Sequence, residues 1–401
     1  MPAGASKENA MTMQDSHRYC YGIEEEFFLV NALSRNAVPR VPRRIVQACR
    51  SRLGKVVHHE LLQSQIEITS PIFFDPIEAR ETMMNLRQGV AGIAADAGLR
   101  IIAAGTHPLA RWPEQLHTEQ PRYAGIAEDL QIVAHRNFIC GLHVHVAVPD
   151  HVDRVDLMNR MMPWLPLFLA LSTSSPFWDR RLTGFLSYRQ AVYDEWPRMG
   201  IPDFFADEVE YQAFVDLLVR AGAIKDASYL WWSIRPSHRY PTLELRIADS
   251  CTHLEDSLAL ASLFRCLVRA HVHQPGLGQT RSAFSRRLIE ENRWRAKRYG
   301  LTSDFISEDS GGALPFAVLL EEFVNIVIRD IDALGCWHAL DQIQQIRARG
   351  TSAHEQLRIY DSAREAGSGH ATALKQVVDW LVASTVPGMP APMANAHPVA
   401  A

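Results

Sequence analysis

The most informative feature of the chain is the alternation of apolar and polar side chains in several short segments. Such alternation, together with β-branched and aromatic residues, is typical of strands that pack one face against a core. On this basis six segments are predicted to be strands: residues 19–30, 65–70, 100–104, 141–148, 229–234 and 242–248. The pattern therefore predicts a sheet with one buried face.

Apolar residues at helical spacing predict helices between these strands. Asp75 precedes Pro76 and Glu78, which marks the start of a helix that should end near Ala97, before Gly98. A buried helix is predicted over residues 155–172, and further helices over residues 211–221 and 254–271. Beyond residue 281 the pattern is almost wholly helical.

The order of these elements favours an α+β fold with a largely antiparallel sheet, because crossover helices do not regularly follow the strands. Residues 172–203 are rich in Pro, Ser, Gly, Arg and aromatic residues, and such long irregular segments often form lids or binding loops. No linker or internal repeat divides the chain. We therefore expect a single catalytic domain over residues 18–385, between disordered ends at 1–17 and 386–401.

Ionisable side chains cluster on one face of the predicted strands. Residues i and i+2 of a strand share a face, so that apolar residues such as Ile23, Val144 and Leu245 define the buried side. The opposite side carries seven ionisable residues on four strands: Glu24, Glu26, Glu67, His143, His145, Glu244 and Arg246. If the four strands share one sheet, this face is either a solvated surface or a chemical site.

A solvated face is the simplest interpretation of any one strand, because antiparallel sheets are commonly buried on one side only. Four such strands favour a site, because converging carboxylates raise one another's pKa unless cations neutralise them. Oxygen-rich clusters suit Mg²⁺ or Mn²⁺. The pair His143 and His145 is also compatible with a metallohydrolase, and Arg246 beside Glu244 with either a structural salt bridge or phosphate binding.

Composition narrows the class of protein. The 401 residues are 47% hydrophobic and 21% charged, as in globular proteins with a sizeable core. A formal net charge of -4 without Lys/Arg-rich runs argues against nucleic-acid or membrane-surface partners. No signal-peptide core or convincing membrane span is present. Six scattered cysteines without a C-x-x-C pair indicate reduced thiols in the cytoplasm.

The sequence lacks the common motifs of nucleotide-binding proteins and of hydrolases. It contains no P-loop, no glycine-rich dinucleotide motif opening a helix, and no G-x-S-x-G nucleophile elbow. Any bound nucleotide would therefore have to be held by metals and basic side chains.

Several segments resemble the carboxylate-amine ligase branch of the type 2 glutamate–cysteine ligases. G-I-E-E-E at 22–26 resembles the family's opening G-I-E-x-E strand, and E-L-L-Q-S-Q-I-E at 60–67 resembles its second acidic element. Further similar segments are residues 104–108, 122–123, 141–146, 232–236, 244–249 and 292–301. Their joint order and spacing make a chance resemblance a poor explanation.

The resemblance implies a glutamine-synthetase-like fold, in which a curved antiparallel sheet forms a cup backed by helices, with a helical C-terminal portion. It also implies ATP and Mg²⁺, with Mn²⁺ as an alternative, as cofactors. By motif position the metal ligands would be Glu24, Glu26, Glu60, Glu67, His143 and Glu244. Arg246 and Arg235 would be catalytic, and Arg122, Arg246 and His145 would contact the nucleotide.

The implied reaction joins a carboxylate, expected to be that of glutamate, to an amine such as cysteine through an acyl phosphate. The partners would thus be small molecules, and a homo-oligomer is compatible with this interpretation. Two alternatives stay open. One is a metal-dependent hydrolase that uses His143 and His145, and the other is a non-catalytic ATP-binding homologue that keeps the cup.

Overall fold

The fold is taken from a computed structural model that describes residues 17–279 and 281–388. The predicted disordered ends lie almost entirely outside these residues, and the bounds of the single domain stay a prediction. Buried hydrophobic side chains from Tyr19 to Val386 form one core cluster. None of the helices in the described part of the chain is long and apolar enough to cross a membrane.

The described residues form eleven strands and fourteen α-helices. The strands are β1 (Tyr21–Asn31), β2 (Val57–His59), β3 (Gln65–Thr69), β4 (Leu99–Ile102), β5 (Leu142–Ala147), β6 (Phe177–Trp178), β7 (Arg181–Leu182), β8 (Ile234–Pro236), β9 (Thr242–Leu245), β10 (Asp304–Ser307) and β11 (Gly312–Pro315). The helices are α1 (Arg43–Leu53), α2 (Pro76–Asp96), α3 (Pro121–Leu130), α4 (Ile132–Arg136), α5 (Arg154–Met161), α6 (Leu165–Ser172), α7 (Arg189–Tyr193), α8 (Glu208–Arg220), α9 (Leu254–His273), α10 (Ser285–Tyr299), α11 (Phe316–Ala333), α12 (Trp337–Arg349), α13 (Ser352–Glu365) and α14 (His370–Thr385).

The main sheet has seven strands and is antiparallel at every pairing. Its order is β2-β3-β1-β5-β9-β8, and β4 also pairs with β1. The register places Glu24 opposite His143, Glu26 opposite Glu67, and His145 opposite Glu244. The four strands that were expected to carry a polar face therefore lie side by side, and the predicted α+β class with an antiparallel sheet is confirmed.

Helices cover the apolar face of this sheet. The long helix α9 packs against α2, α11 and α12 and crosses β5. Val144 and Val146 of β5 are fully buried beneath it, as are Ile66 and Ile68 of β3. The sorting of side chains by strand periodicity is thus confirmed for the buried face.

The start of α2 is as the sequence predicts. The Asp75 carboxylate accepts hydrogen bonds from the backbone N–H groups of Ile77 (2.7 Å) and Glu78 (3.1 Å), and Pro76 occupies the first turn, where its missing N–H costs nothing. The helix ends at Asp96, and Gly98 follows with a φ of 72°, a conformation that glycine adopts without strain.

Two sequence predictions of local structure are wrong. The helix expected over residues 155–172 is broken into α5 and α6 by a 3₁₀ turn, Met162–Trp164, because Pro163 lacks an N–H and cannot continue an α-helix. The strand expected over residues 229–234 is displaced: Ala227–Tyr229 is a 3₁₀ turn capped by Asp226, and β8 begins at Ile234.

The region beyond residue 281 is mainly helical, as predicted, and also contains the hairpin β10–β11. The Asn292 side chain anchors this hairpin to α10, because it donates to the Ile306 carbonyl and accepts from the Ile306 N–H, both at 2.7 Å. This contact between distant residues cannot be seen in a local pattern.

A buried ion pair joins the sheet to the helices. Glu25 points to the helix side of β1, opposite to Glu24 and Glu26, and the Arg87 guanidinium binds its two oxygens at 2.9 and 2.6 Å. The remaining Arg87 N–H groups donate to the carbonyls of Cys251, Thr252 and Thr385. One side chain of α2 therefore links β1, the segment before α9, and the end of α14.

We expect Arg87→Ala to lower the free energy of unfolding by about 3–5 kcal/mol, because it leaves the Glu25 carboxylate buried without its partner. The matched control is Arg80→Ala on the same helix, whose ion pair with Glu255 is exposed and should contribute less than about 1 kcal/mol. Urea denaturation followed by circular dichroism measures both. Similar small losses in the two variants would contradict this role of Arg87.

Candidate active site

The polar face of the sheet lines one cavity of about 480 Å³. This volume is in the range of small-molecule sites. All ten residues that the sequence analysis singled out for a site lie on its wall: Glu24, Glu26, Glu60, Glu67, Arg122, His143, His145, Arg235, Glu244 and Arg246. The sheet therefore brings these residues together, and their individual roles stay predictions.

Carboxylates crowd the β3–β1 end of the cavity. Oxygens of Glu26, Glu60 and Glu67 lie within 4.8 Å of one another. Glu26 accepts a hydrogen bond from the Gly141 N–H at 2.6 Å, and Glu60 accepts one from the Leu61 N–H at 3.0 Å. Burial and the charge of Glu26 raise the pKa of Glu60 to about 8, and burial with the charge of Glu24 raises the pKa of Glu67 well above its ordinary value.

Two histidines of β5 occupy the middle of the face. His143 Nδ1 lies 3.2 Å from a Glu24 oxygen, and His145 Nε2 lies 3.4 Å from the other. Burial opposes ionisation of Glu24, but the hydrogen bonds from these two histidines outweigh it and lower the pKa of Glu24. Burial and the positive charge of Arg246 lower the pKa of His143, which favours the neutral imidazole.

His145 differs from His143 in the direction of its pKa shift. Burial lowers its pKa, but the carboxylates of Glu244 and Glu24 outweigh this effect, so that the pKa of His145 is raised. Its Nδ1 shares a hydrogen bond of 3.0 Å with the Thr242 hydroxyl. The site therefore stabilises the protonated form of His145 relative to that of a free imidazole.

Arginines occupy the β9–β8 end. The Arg235 guanidinium binds Glu244 through two bonds of 2.7 and 3.1 Å, and Arg246 Nη1 lies 2.5 Å from the same carboxylate. Burial opposes ionisation of Glu244, but these two positive charges outweigh it and lower the pKa of Glu244. Arg246 thus forms the salt bridge that the sequence left open, yet its buried Nε has no hydrogen-bond partner in the described part of the chain.

Arg122 lies on α3. Its side chain is exposed, donates to the Ser228 hydroxyl at 2.9 Å, and stacks 4.6 Å from the centre of the Tyr229 ring. Arg122 and Arg235 each donate to the Ser228 carbonyl at 3.4 Å. Arg122 therefore extends the arginine end of the cavity from β8 onto α3.

The polar face of the main sheet forms the floor of the cavity, and the charge of this floor changes sign from one end of the sheet to the other. In the order β2-β3-β1-β5-β9-β8, Glu60 follows β2, and carboxylates continue on β3 and β1. Histidines follow on β5, and then Arg246 after β9 and Arg235 on β8. One end therefore attracts cations and the other attracts anions.

The donor set fits hard divalent cations. Three groups of side chains could each hold an ion: Glu24, Glu67 and His143; Glu24, His145 and Glu244; and Glu26, Glu60 and Glu67. Every group contains at least two carboxylates and none contains more than one histidine. Oxygen-rich sets of this kind suit Mg²⁺ or Mn²⁺, whereas zinc sites favour Cys and His. Burial and the charges of the neighbouring carboxylates both raise the pKa values of Glu60 and Glu67, and a bound cation would offset these effects.

Sequence reasoning missed much of the remaining wall. The segment 172–203, which was expected to be a lid or binding loop, contributes Arg189, Tyr193, Trp196 and Met199. Trp231 joins them from the stretch before β8. The signal in the sequence was only compositional, because these residues come from an irregular segment in which periodicity does not report which side chains face inward.

Comparison with known proteins identifies the family of this chain. The sequence model of glutamate-cysteine ligase family 2 (GCS2) matches residues 20–377. The chain belongs to glutamate-cysteine ligase family 2. A family member from Ectopseudomonas mendocina, named "Putative glutamate--cysteine ligase 2", is 46% identical over 365 residues, which cover 91% of this chain and 96% of the relative. A protein of the same name from Rhodospirillum rubrum is 44% identical over 372 residues, covering 92% and 96%.

Solved structures share the fold of this GCS2 family member. The glutamate–cysteine ligase of Francisella tularensis in complex with AMP superposes with a TM-score of 0.66 at 10% identity, covering 93% of this chain and 90% of that one. The bifunctional glutathione synthetase of Pasteurella multocida gives 0.64 at 12% identity, and the match spans 94% of this chain but only 54% of that longer one. The predicted glutamine-synthetase-like fold is thereby confirmed.

The carboxylate cluster should make the metal-free protein less stable as pH rises. The pKa of Glu60 is raised in the folded state, so folding favours its protonated form. The stabilisation that this provides is present below the ordinary pKa near 4.5 and is lost as pH rises through about 8. With EDTA present, we expect the melting temperature to fall between pH 5.5 and 8.5, and Glu60→Gln to reduce this fall.

Thermal unfolding of the two proteins with EDTA and with Mg²⁺ is the measurement. Mg²⁺ should raise the melting temperature of the wild type at pH 8 by several degrees and that of Glu60→Gln by less. The interpretation is wrong if the variant melts below the wild type at pH 8 in EDTA.

Proposed function

We propose that the chain is an ATP-dependent carboxylate–amine ligase that joins the side-chain carboxylate of glutamate to an amine such as cysteine. The observation that carries this proposal is the change of sign along the floor of the cavity. ATP with bound metal ions presents cations next to anionic phosphate oxygens. The carboxylate end of the floor can bind the cations, and the arginine end can bind the phosphate oxygens. Membership of GCS2 supports the same chemistry.

The first step would be attack of the substrate carboxylate oxygen on the γ-phosphorus of ATP. The bond between the γ-phosphorus and the bridging oxygen breaks, which gives ADP and an acyl phosphate. Glu24, Glu26, Glu60, Glu67, His143 and Glu244 would hold the divalent cations. Such cations supply charge neutralisation on the phosphate oxygens.

Arg246 and Arg235 would contribute positive charge at the opposite end. Arg246 is held on the floor through Glu244, and its Nε keeps a hydrogen-bond donor that no described residue uses. A guanidinium fixed in this way can stabilise charge on a transferring phosphoryl group without reorganising. Glu244 would therefore orient both arginines in addition to any contact with a cation.

In the second step the amine nitrogen would attack the acyl carbon, the carbon–oxygen bond to phosphate would break, and the ammonium proton would leave. The two carboxylates around His145 stabilise its protonated form, which supports a contact of His145 with the anionic nucleotide. His143 is placed among the cation ligands and is not assigned the role of proton acceptor. The released phosphate can take up the proton.

Apolar residues on part of the cavity wall would limit the access of water to the acyl phosphate. Trp196 and Trp231 meet edge to face with ring centres 5.0 Å apart, and the buried Ile126 and Ile139 line the same cavity. Such residues would reduce hydrolysis of a reactive intermediate.

The alternative of a hydrolase built on His143 and His145 has less support. Both imidazoles bind Glu24, and no candidate metal group of the described residues contains the two histidines together. A hydrolase would release product without ATP, and the non-catalytic homologue would bind ATP without product. The assay below separates all three.

We expect the purified protein to release ADP from ATP and Mg²⁺ only when a suitable acid and a suitable amine are both present. Mass spectrometry of the same reactions, with glutamate and cysteine as the first pair and a panel of acids and amines thereafter, should detect one amide per ADP. Absence of ADP and of amide across the panel would sink the proposal.

A matched pair of variants controls this assay. Glu67→Gln removes a charge from the carboxylate cluster and should lower kcat/KM by about 10²-fold or more, because two of the three candidate metal groups share Glu67. Glu78→Gln changes an exposed carboxylate of α2 outside the cavity and should leave turnover unchanged.

A further inference from the structure

Arg189 is a buried guanidinium on the wall of the cavity that neither the sequence motifs nor the proposed mechanism uses. It is the first residue of α7, and only 2% of its surface is exposed. Its Nη1 donates to the Ile247 carbonyl and its Nη2 to the Arg246 carbonyl, both at 3.3 Å. These are long bonds for a charged donor.

The protein offers the positive charge of Arg189 two weak partners, of which one is the Tyr193 ring, with its centre 5.2 Å from the guanidinium carbon. The nearest carboxylate is that of Asp249, whose oxygen lies 4.0 Å from Nη1. The Asp249 oxygens already accept hydrogen bonds from the Ser174 N–H and from the hydroxyls of Ser175 and Ser187. Asp249 therefore has little capacity left for the guanidinium.

Arg87 provides the contrast. It is equally buried, but it forms two short bonds to Glu25 and three more to carbonyls. Arg189 Nε, by comparison, is buried without a hydrogen-bond partner among the described residues. A buried guanidinium has five N–H donors and a high desolvation cost, so spare donors at a cavity wall point to an anionic ligand.

The guanidinium of Arg189 packs directly against the backbone of Gly141. A Cβ atom at position 141 would lie 2.3 Å from Arg189 Nη2 and 3.2 Å from His143 Nε2. The guanidinium and the imidazole thus both lie against Gly141, whose N–H binds Glu26. Any side chain at position 141 would displace one of these groups.

The protein holds α7 firmly in this position. The Arg189 N–H donates to the Ser175 hydroxyl at 3.0 Å, and the Gln190 side chain donates to the Ile247 carbonyl at 2.7 Å. Lys297 and Arg293 of α10 bind Asp194, which directly follows α7, at 2.9 and 2.7 Å. Residues of the segment 292–301 therefore hold in place the helix that carries Arg189.

We propose that Arg189 binds an anionic oxygen of a substrate at the wall of the cavity, near His143. The ligand chemistry is an oxyanion, which is either a phosphoryl group of the nucleotide or the carboxylate of the acid. The identity of this oxyanion rests on the proposed ligase function, whereas the presence of an anion subsite does not.

Calorimetric titration with two probes, ADP with Mg²⁺ and L-glutamate, tests this proposal without turnover. We expect Arg189→Met to weaken the binding of at least one probe by about tenfold or more, the loss of one charge-assisted hydrogen bond. Gly141→Ala keeps the charge but would displace the Arg189 guanidinium, and it should weaken binding of the same probe. Gly22→Ala is the matched control, because a Cβ there meets only the Ser70 hydroxyl at an ordinary 3.7 Å.

The affected probe identifies the oxyanion: a loss for ADP alone assigns a phosphoryl group, and a loss for glutamate alone assigns the carboxylate. Affinities for both probes within twofold of the wild type in Arg189→Met and Gly141→Ala overturn the proposal. If Arg189→Met does not fold, the same two titrations are made with Arg189→Lys, and the same criterion applies to its affinities. Arg189-dependent binding without turnover overturns only the ligase function, and a wild type that binds neither probe overturns both.

Discussion

The rest of the structure depends on how three consecutive glutamates of β1 are distributed between its two faces. Glu25 turns toward the helices and is held by Arg87, whereas Glu24 and Glu26 turn into the cavity. A slip of one residue would exchange these faces, bury two unpaired carboxylates and empty the site. The buried ion pair therefore fixes the register of the central strand, and with it the positions of the partners His143 and Glu67.

The site that follows from this register is ordered by charge. Carboxylates with raised pKa values, as in Glu60 and Glu67, lie at one end, and arginines clamped by Glu244 lie at the other. In the absence of a ligand one end holds buried carboxylates that lie close together, and the other holds Arg246, whose buried Nε has no hydrogen-bond partner among the described residues. Perturbed groups of this kind cluster at sites whose ligand carries the complementary charges. The family assignment and the electrostatics thus support the same class of ligand by independent routes.

Strand periodicity predicted the fold where a pattern is local and strong. The two faces of β1, β3, β5 and β9, and the start of the helix capped by Asp75, follow directly from spacing. It failed where no periodic pattern exists, as in the hairpin that Asn292 anchors and the 3₁₀ turn, capped by Asp226, that replaces the expected strand at residue 229. In the site, periodicity found the floor, and the family resemblance added Glu60, Arg122 and Arg235. Neither found Arg189, because its helix of five residues is too short to show a period and is positioned by contacts with distant residues such as Ile247 and with α10.

The central claim is that the carboxylate end of the floor holds divalent cations for an anionic ligand at the arginine end. Crystals grown with Mn²⁺ and ADP test it most directly, through an anomalous difference map collected at the manganese edge. We predict a manganese peak between Glu26, Glu60 and Glu67, with the ADP phosphates between this peak and Arg246. Clear density for ADP with no manganese peak at these carboxylates would contradict the account.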